Sequence, residues 1–172
     1  MAGGDNHLTA YLTDHLAGSV LAVDLLNQLE SSHAGTQIAR VLGALRADIE
    51  SDRQELRQLM NALQIAESRV RQTLGLLTAK LTEIKLRVED GVSGPLRLLE
   101  SVETVALGID GKLALWRSLE VAAETVPELG CLDYERLARR AKEQRRCAEE
   151  VRLIAARTAL TRTAVKAGRG LQ

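Results

Sequence analysis

Between Gln37 and Leu63, apolar residues fall at Ile38, Leu42, Leu45, Ile49, Leu56, Leu59 and Leu63, the three- and four-residue steps of a helix with one packed seam. Asp52 takes the seam position between Ile49 and Leu56. No glycine or proline occurs between Ala44 and Leu74, so nothing local opposes a long helix here. An acid on an otherwise apolar seam is either a functional group or a polar core position held by partners, because a lone buried charge is too costly to keep. What faces Asp52 is therefore the functional question.

The neighbouring segments carry the same period. A first helix is expected from a cap at Asp5 or Asn6 to about Ser31, with a stripe at Leu8, Leu12, Leu16, Ser19, Val23 and Leu26. Leu21 and Leu25 lie on its other side, which predicts more than one packing neighbour and hence a bundle. Residues 31–35 read as a turn, with the second helix starting near Thr36. Beyond Leu63 the seam continues through Ala66, Val70, Leu74, Leu77, Leu81, Ile84 and Val88. A continuous helix would be a rod about 80 Å long, the geometry of a coiled-coil oligomer. A break over 64–68, with Ser68 capping a third helix, fits ordinary helix lengths better.

Asp90-Gly91-Val92-Ser93-Gly94-Pro95 is a stop and restart, with Ser93 the expected cap and Pro95 in the first turn of the next helix. That helix carries Leu99, Val102, Ala106, Ile109, Leu113 and Trp116, and its Gly108 and Gly111 are expected to permit close packing. Residues 125–132 form the next turn. The last helix starts near Asp133 with a seam at Leu137, Ala141, Gln144, Ala148, Val151, Ala155 and Thr158, opposite a charged face of Arg139, Arg146, Glu150 and Arg157.

A chain of 172 residues suits one domain, expected over 6–165, with 1–5 disordered and 166–172 frayed. Hydrophobic residues make up 45% but aromatics only 2%, so the core must be Leu, Val, Ile and Ala, which suits interdigitating helices. Zero net charge argues against a nucleic-acid partner. Residues 133–172 hold 11 bases and 5 acids, leaving 12 bases and 18 acids for the rest, so a basic last helix is expected to pack beside acidic partners. Without a basic, then apolar leader or a run of 18 apolar residues, the expected setting is soluble and cytoplasmic, with Cys131 and Cys147 as reduced thiols.

If each short turn reverses direction, the second and fourth helices run parallel and the third becomes a crossover. In helix order and length, residues 6–165 resemble the ferritin-like superfamily. The resemblance implies an all-α fold, a ferritin-like antiparallel four-helix bundle plus one extra crossover helix. It also implies a di-metal centre built from one Glu on each of two helices and Glu-x-x-His on each of the other two. The corresponding slots hold Ser19, Asp52 with Glu55, Glu103, and Gln144 with Cys147, so the ligand set fails at most positions. Glu30-Ser31-Ser32-His33 is the one Glu-x-x-His, and it lies at the first turn; His15 flanks the first stripe beside Asp14.

Three functions follow as expectations. The first is a non-catalytic ferritin-like bundle acting as an interaction or assembly module, with an interior polar layer of Ser19, Asp52 and Gln144 fixing helix register. The second keeps a vestigial carboxylate metal site at Asp52, Glu55 and Glu103. The third binds lipid or another apolar ligand between Leu-rich helices. No cofactor motif, catalytic triad or phosphate loop is present, no catalytic residue is assigned, and the partner state stays open, a homo-oligomer included.

Overall fold

The computed structural model describes residues 4–65 and 94–168, with side chains over 7–65 and 94–161. It holds four α-helices: α1 (Gly4–Ser32), α2 (Gln37–Ala62), α3 (Pro95–Ala123) and α4 (Tyr134–Gly168), with a 3-10 turn at Pro127–Leu129 before α4. The helices pack in pairs, α1 on α2 and α3 on α4, and the pairs meet through α1 with α3 and α2 with α4. The chain is all-α among the described residues.

The boundaries follow local chemistry. Thr36 caps α2 by accepting from the Ala39 amide at 3.2 Å. Gly35, at φ 79°, takes the left-handed turn before it. The break expected after Leu63 is present: Gln64 sits at φ 55°, and the Gln64 and Ile65 amides close back on the Asn61 and Met60 carbonyls at 3.0 Å. This is the Schellman pattern, and it ends α2 there rather than continuing it as a rod. α3 opens at Gly94 with Pro95 in its first turn; the expected cap Ser93, the expected cap Ser68 and the expected crossover helix all lie outside the described residues. α1 begins at Gly4, so Asp5 and Asn6 lie within it rather than capping it.

Cross-helix pairs set the directions. Glu55 meets Arg136 while Asp52 meets Arg140 and Gln144, so α2 and α4 are antiparallel. Asp110 meets Arg145 and Glu103 meets Arg152, making α3 and α4 antiparallel. α1 approaches α3 with residues 25–33 beside 94–101 and residues 14–22 beside 108–116, again antiparallel. α2 and α3 are consequently parallel, and Ile65 and Gly94 lie at opposite ends of the bundle. The core is aliphatic, centred on Leu12, Leu16, Leu26, Leu42, Leu59, Leu119 and Leu137, with Trp116 as its largest side chain. Each such leucine contributes about 1.5–3 kcal/mol by leaving water.

Candidate functional site

Asp52 is buried, 2% exposed, in the middle of the bundle. Its carboxylate accepts from three donors on two other helices: the Lys112 ammonium of α3, the Arg140 guanidinium of α4, and the Gln144 amide of α4 at 2.9 Å. Lys112 also donates to the Gln144 carbonyl, so the lysine, the glutamine and the aspartate close a ring of hydrogen bonds. Arg140 reaches the Ser51 hydroxyl at 3.3 Å and lies 4.0 Å from Glu55, which accepts from Arg136 at 2.8 Å. The layer thus joins α2, α3 and α4 with three cations, two carboxylates and one amide.

Burial decides the electrostatics here. It pushes the Lys112 ammonium below the usual lysine range, against the pull of Asp52 in the opposite direction. Removing either partner would strand the other away from water, the costly half of the hydrogen-bond asymmetry.

Beside the layer, between α1, α2 and α3, lies a cleft of about 160 Å³. Ala22, Ile49, Leu56, Ile109, Leu115 and Trp116 form its apolar walls, and Asp14, Asp52, Arg53 and Lys112 its charged lining. Trp116 is 1% exposed and its indole Nε1–H has no hydrogen-bond acceptor among the described residues. Gly18, Gly108 and Gly111 also line it, and a Cβ added at any of the three would meet nothing within 4 Å. The close packing expected at Gly108 and Gly111 is therefore absent: these positions leave space instead.

The other residues singled out from sequence are placed as follows. Ser19 is half-buried on the cleft wall and donates to the Leu16 carbonyl of its own helix at 2.6 Å, while Asp52 and Gln144 bond each other. Glu103 is exposed and lies 3.5 Å from Arg152. His15 lines the cleft with its ring edge-on to Tyr11 at 4.7 Å, and burial lowers its pKa against the raising effect of Asp14. Glu30 pairs with Arg46 of α2 at 3.1 Å, and the His33 Nδ1 lies 2.8 Å from the Leu29 carbonyl, so the two side chains of the Glu-x-x-His pair are engaged by different partners. Cys131 is exposed and Cys147 half-buried, both free thiols.

Two members of the layer, Lys112 and Arg140, escape a reading of periodicity, which places long basic side chains in solvent by default. The signal that points to them is Asp52 itself: a seam acid at mid-bundle requires cations at mid-helix on its neighbours. On α3 the buried positions run Val102, Val105, Ile109, Trp116 and Leu119, with Lys112 in the step between Ile109 and Trp116 and Leu113 only half-buried.

Whether these residues fit a di-metal centre is answered by the donors present. Among the described residues no three of His, Cys, Asp and Glu converge as ligands. The carboxylates of the expected slots, Asp52, Glu55 and Glu103, each face Arg or Lys, and a cation at that point would meet Lys112 and Arg140. The set does not fit. Among the described residues no helix is long and apolar enough to cross a membrane. No family model matches the chain, and no curated protein or solved structure matches it.

Proposed function

We propose that this chain is a non-catalytic helical binding module of ferritin-like connectivity, in which a buried charge layer stands where active relatives of that architecture would carry metal. One observation carries the reading: the Asp52 carboxylate, central and 2% exposed, is closed by Lys112, Arg140 and Gln144. A carboxylate saturated by two cations and an amide is neither a nucleophile nor a free base, and it offers little to a metal. The parallel course of α2 and α3, which puts Ile65 and Gly94 at opposite ends of the bundle, supports the ferritin-like connectivity.

The layer serves register. Sliding α4 by one turn, about 5.4 Å, against α2 would strand both carboxylates from their arginines, so the ion pairs select one alignment of otherwise similar Leu and Ala seams. The decisive experiment is a calorimetric titration of purified protein with Fe(II), Mn(II) and Zn(II), paired with elemental analysis. The expected outcome is no saturable binding and no stoichiometric metal. Two metal ions per chain, lost in Asp52→Asn, would overturn the reading in favour of a residual carboxylate metal site.

The cleft favours a second element of the alternatives set out from sequence, an apolar ligand between the helices. It gives the module something to bind.

A further inference from the structure

We propose that the cleft between α1, α2 and α3 is a binding site for a small monocarboxylic acid with a compact apolar body, its carboxylate received by Lys112 and its body held against Trp116. This rests on reading the chain as a binding module.

The size of the space comes first. A cavity of about 150 Å³ lined by Leu, Ile and Phe takes up benzene, and the cleft measures about 160 Å³, its apolar walls joined by polar lining from Asp14, His15, Ser19, Asp52, Arg53 and Lys112. A six-membered ring or a branched chain of similar bulk fills it.

The glycines come second. Gly18, Gly108 and Gly111 lie inside helices, where each is less favourable than alanine by intrinsic propensity, and no neighbour would obstruct a Cβ at any of them. Helix propensity would favour a larger residue at all three, yet glycine stands at the exposed Gly18 and Gly108 and the half-buried Gly111, all on the rim of one cleft. Two donors, the buried Trp116 indole and the largely buried Lys112 ammonium, line the same cleft. The Trp116 Nε1–H has no acceptor, and the Lys112 ammonium uses two of its three protons, on Asp52 and Gln144, leaving one with no acceptor among the described residues.

Charge selects the ligand's head group. Arg136 is shared between Glu55 and Asp133, so Lys112, Arg136 and Arg140 stand against the three carboxylates Asp52, Glu55 and Asp133, and what the layer offers a ligand is a hydrogen-bond donor. A ligand carboxylate accepts the remaining Lys112 proton in a charge-assisted hydrogen bond, whereas a cation would meet Lys112 and Arg140.

Trp116 is the sole tryptophan of the chain, so its fluorescence reports on this cleft alone. The test titrates the full chain with cyclohexanecarboxylate, with cyclohexanecarboxamide as the neutral isostere and acetate as the charge without the body. The expected result is a saturable emission change with Kd below about 1 mM for the carboxylate. The amide should bind about tenfold more weakly and acetate not at all. Gly111→Leu, which fills the space, should abolish binding while the protein stays folded by circular dichroism, and Lys112→Met should bring the acid down to the affinity of the amide. No saturable change with the acid, equal binding of acid and amide in the parent protein, or full affinity in Gly111→Leu would each overturn the proposal. The metal titration above is read separately, so a failure here leaves the non-metal reading standing, and a metal-loaded protein that still binds the acid would reverse only that reading.

Discussion

Two sets of ion pairs tie α4 to the rest of the bundle, and water treats them differently. In the first, Asp52, 2% exposed, receives Lys112 and Arg140 inside the core. In the second, Glu103, Arg152, Glu149, Arg145 and Asp110 form a ladder along the outer edge of α3 and α4, at separations of 2.6–3.5 Å and with carboxylate side chains 34–52% exposed. On paper the ladder has more contacts. Yet a carboxylate in the ladder that loses its arginine is taken up by water, whereas Asp52 without its cations, or the cations without Asp52, have no such refuge. On the register reading proposed above, the inner set selects how α2, α3 and α4 align, and the outer set adds to that alignment.

The largest effect that tests this contrast is Asp52→Ala. Removing the acid leaves Lys112 and Arg140 as neighbouring, largely buried cations, 13% and 22% exposed, and frees the Gln144 amide, and urea unfolding should show a loss of about 3–5 kcal/mol. Lys112→Met should cost less, about 1–3 kcal/mol, because Asp52 keeps Arg140 and Gln144 while only the lysine ring of bonds opens. The order of the two matters more than either value: if Lys112→Met destabilises more than Asp52→Ala, the acid is not the hub.

How far the sequence carries this picture can be judged from the same residues. The helix ends at Thr36, near Gln64 and at Pro95 were legible, because caps and left-handed turns are local events. Asp52 and Gln144 were legible as polar residues on apolar seams, since the period of an α-helix puts them inside whatever the partner is. Lys112 and Arg140 were not, because their burial depends on how α3 and α4 are rotated against α2, a tertiary property that no window of one helix contains. The cleft was hidden for the same reason. Gly108 and Gly111 read equally well as close contacts or as open space until the helix opposite them is in place, and the structure shows open space.

Between the two extremes stands a buried but uncharged bond. The Tyr134 hydroxyl, on a residue 6% exposed, donates to the Leu129 carbonyl at 2.5 Å and pins the start of α4 to the 3-10 turn. Tyr134→Phe should cost about 1 kcal/mol, clearly less than either change in the charge layer. Burial pushes the Tyr134 phenol up to about 12, so its phenolate absorption should emerge only near that pH. The folded pKa lies above the unfolded one, and the neutral phenol therefore contributes stability that is full below about 10 and is lost as the pH climbs from there toward 12.

The smallest effect belongs to Glu149, and it is the sharpest check on the comparison because the ladder's pairs look so favourable. Hydrogen bonds from Arg152 and Arg145 lower the Glu149 pKa to about 2, so its ionised form contributes stability above the ordinary carboxylate value near 4.5, and that contribution fades as the pH falls from 4.5 toward 2. Solvent screening shrinks what the shift is worth at such an exposed site. Glu149→Gln should consequently leave the unfolding midpoint at pH 7 and high salt where it was, and lower it only slightly at low salt, where the Debye length is long enough for Arg145 and Arg152 to sense the lost charge. Asp52→Ala should show nearly the same loss at both salt concentrations, because the Asp52 carboxylate is 2% exposed and screened little by salt. If the two variants shared one salt dependence, the distinction between an inner set that aligns the helices and an outer set that decorates them would fail.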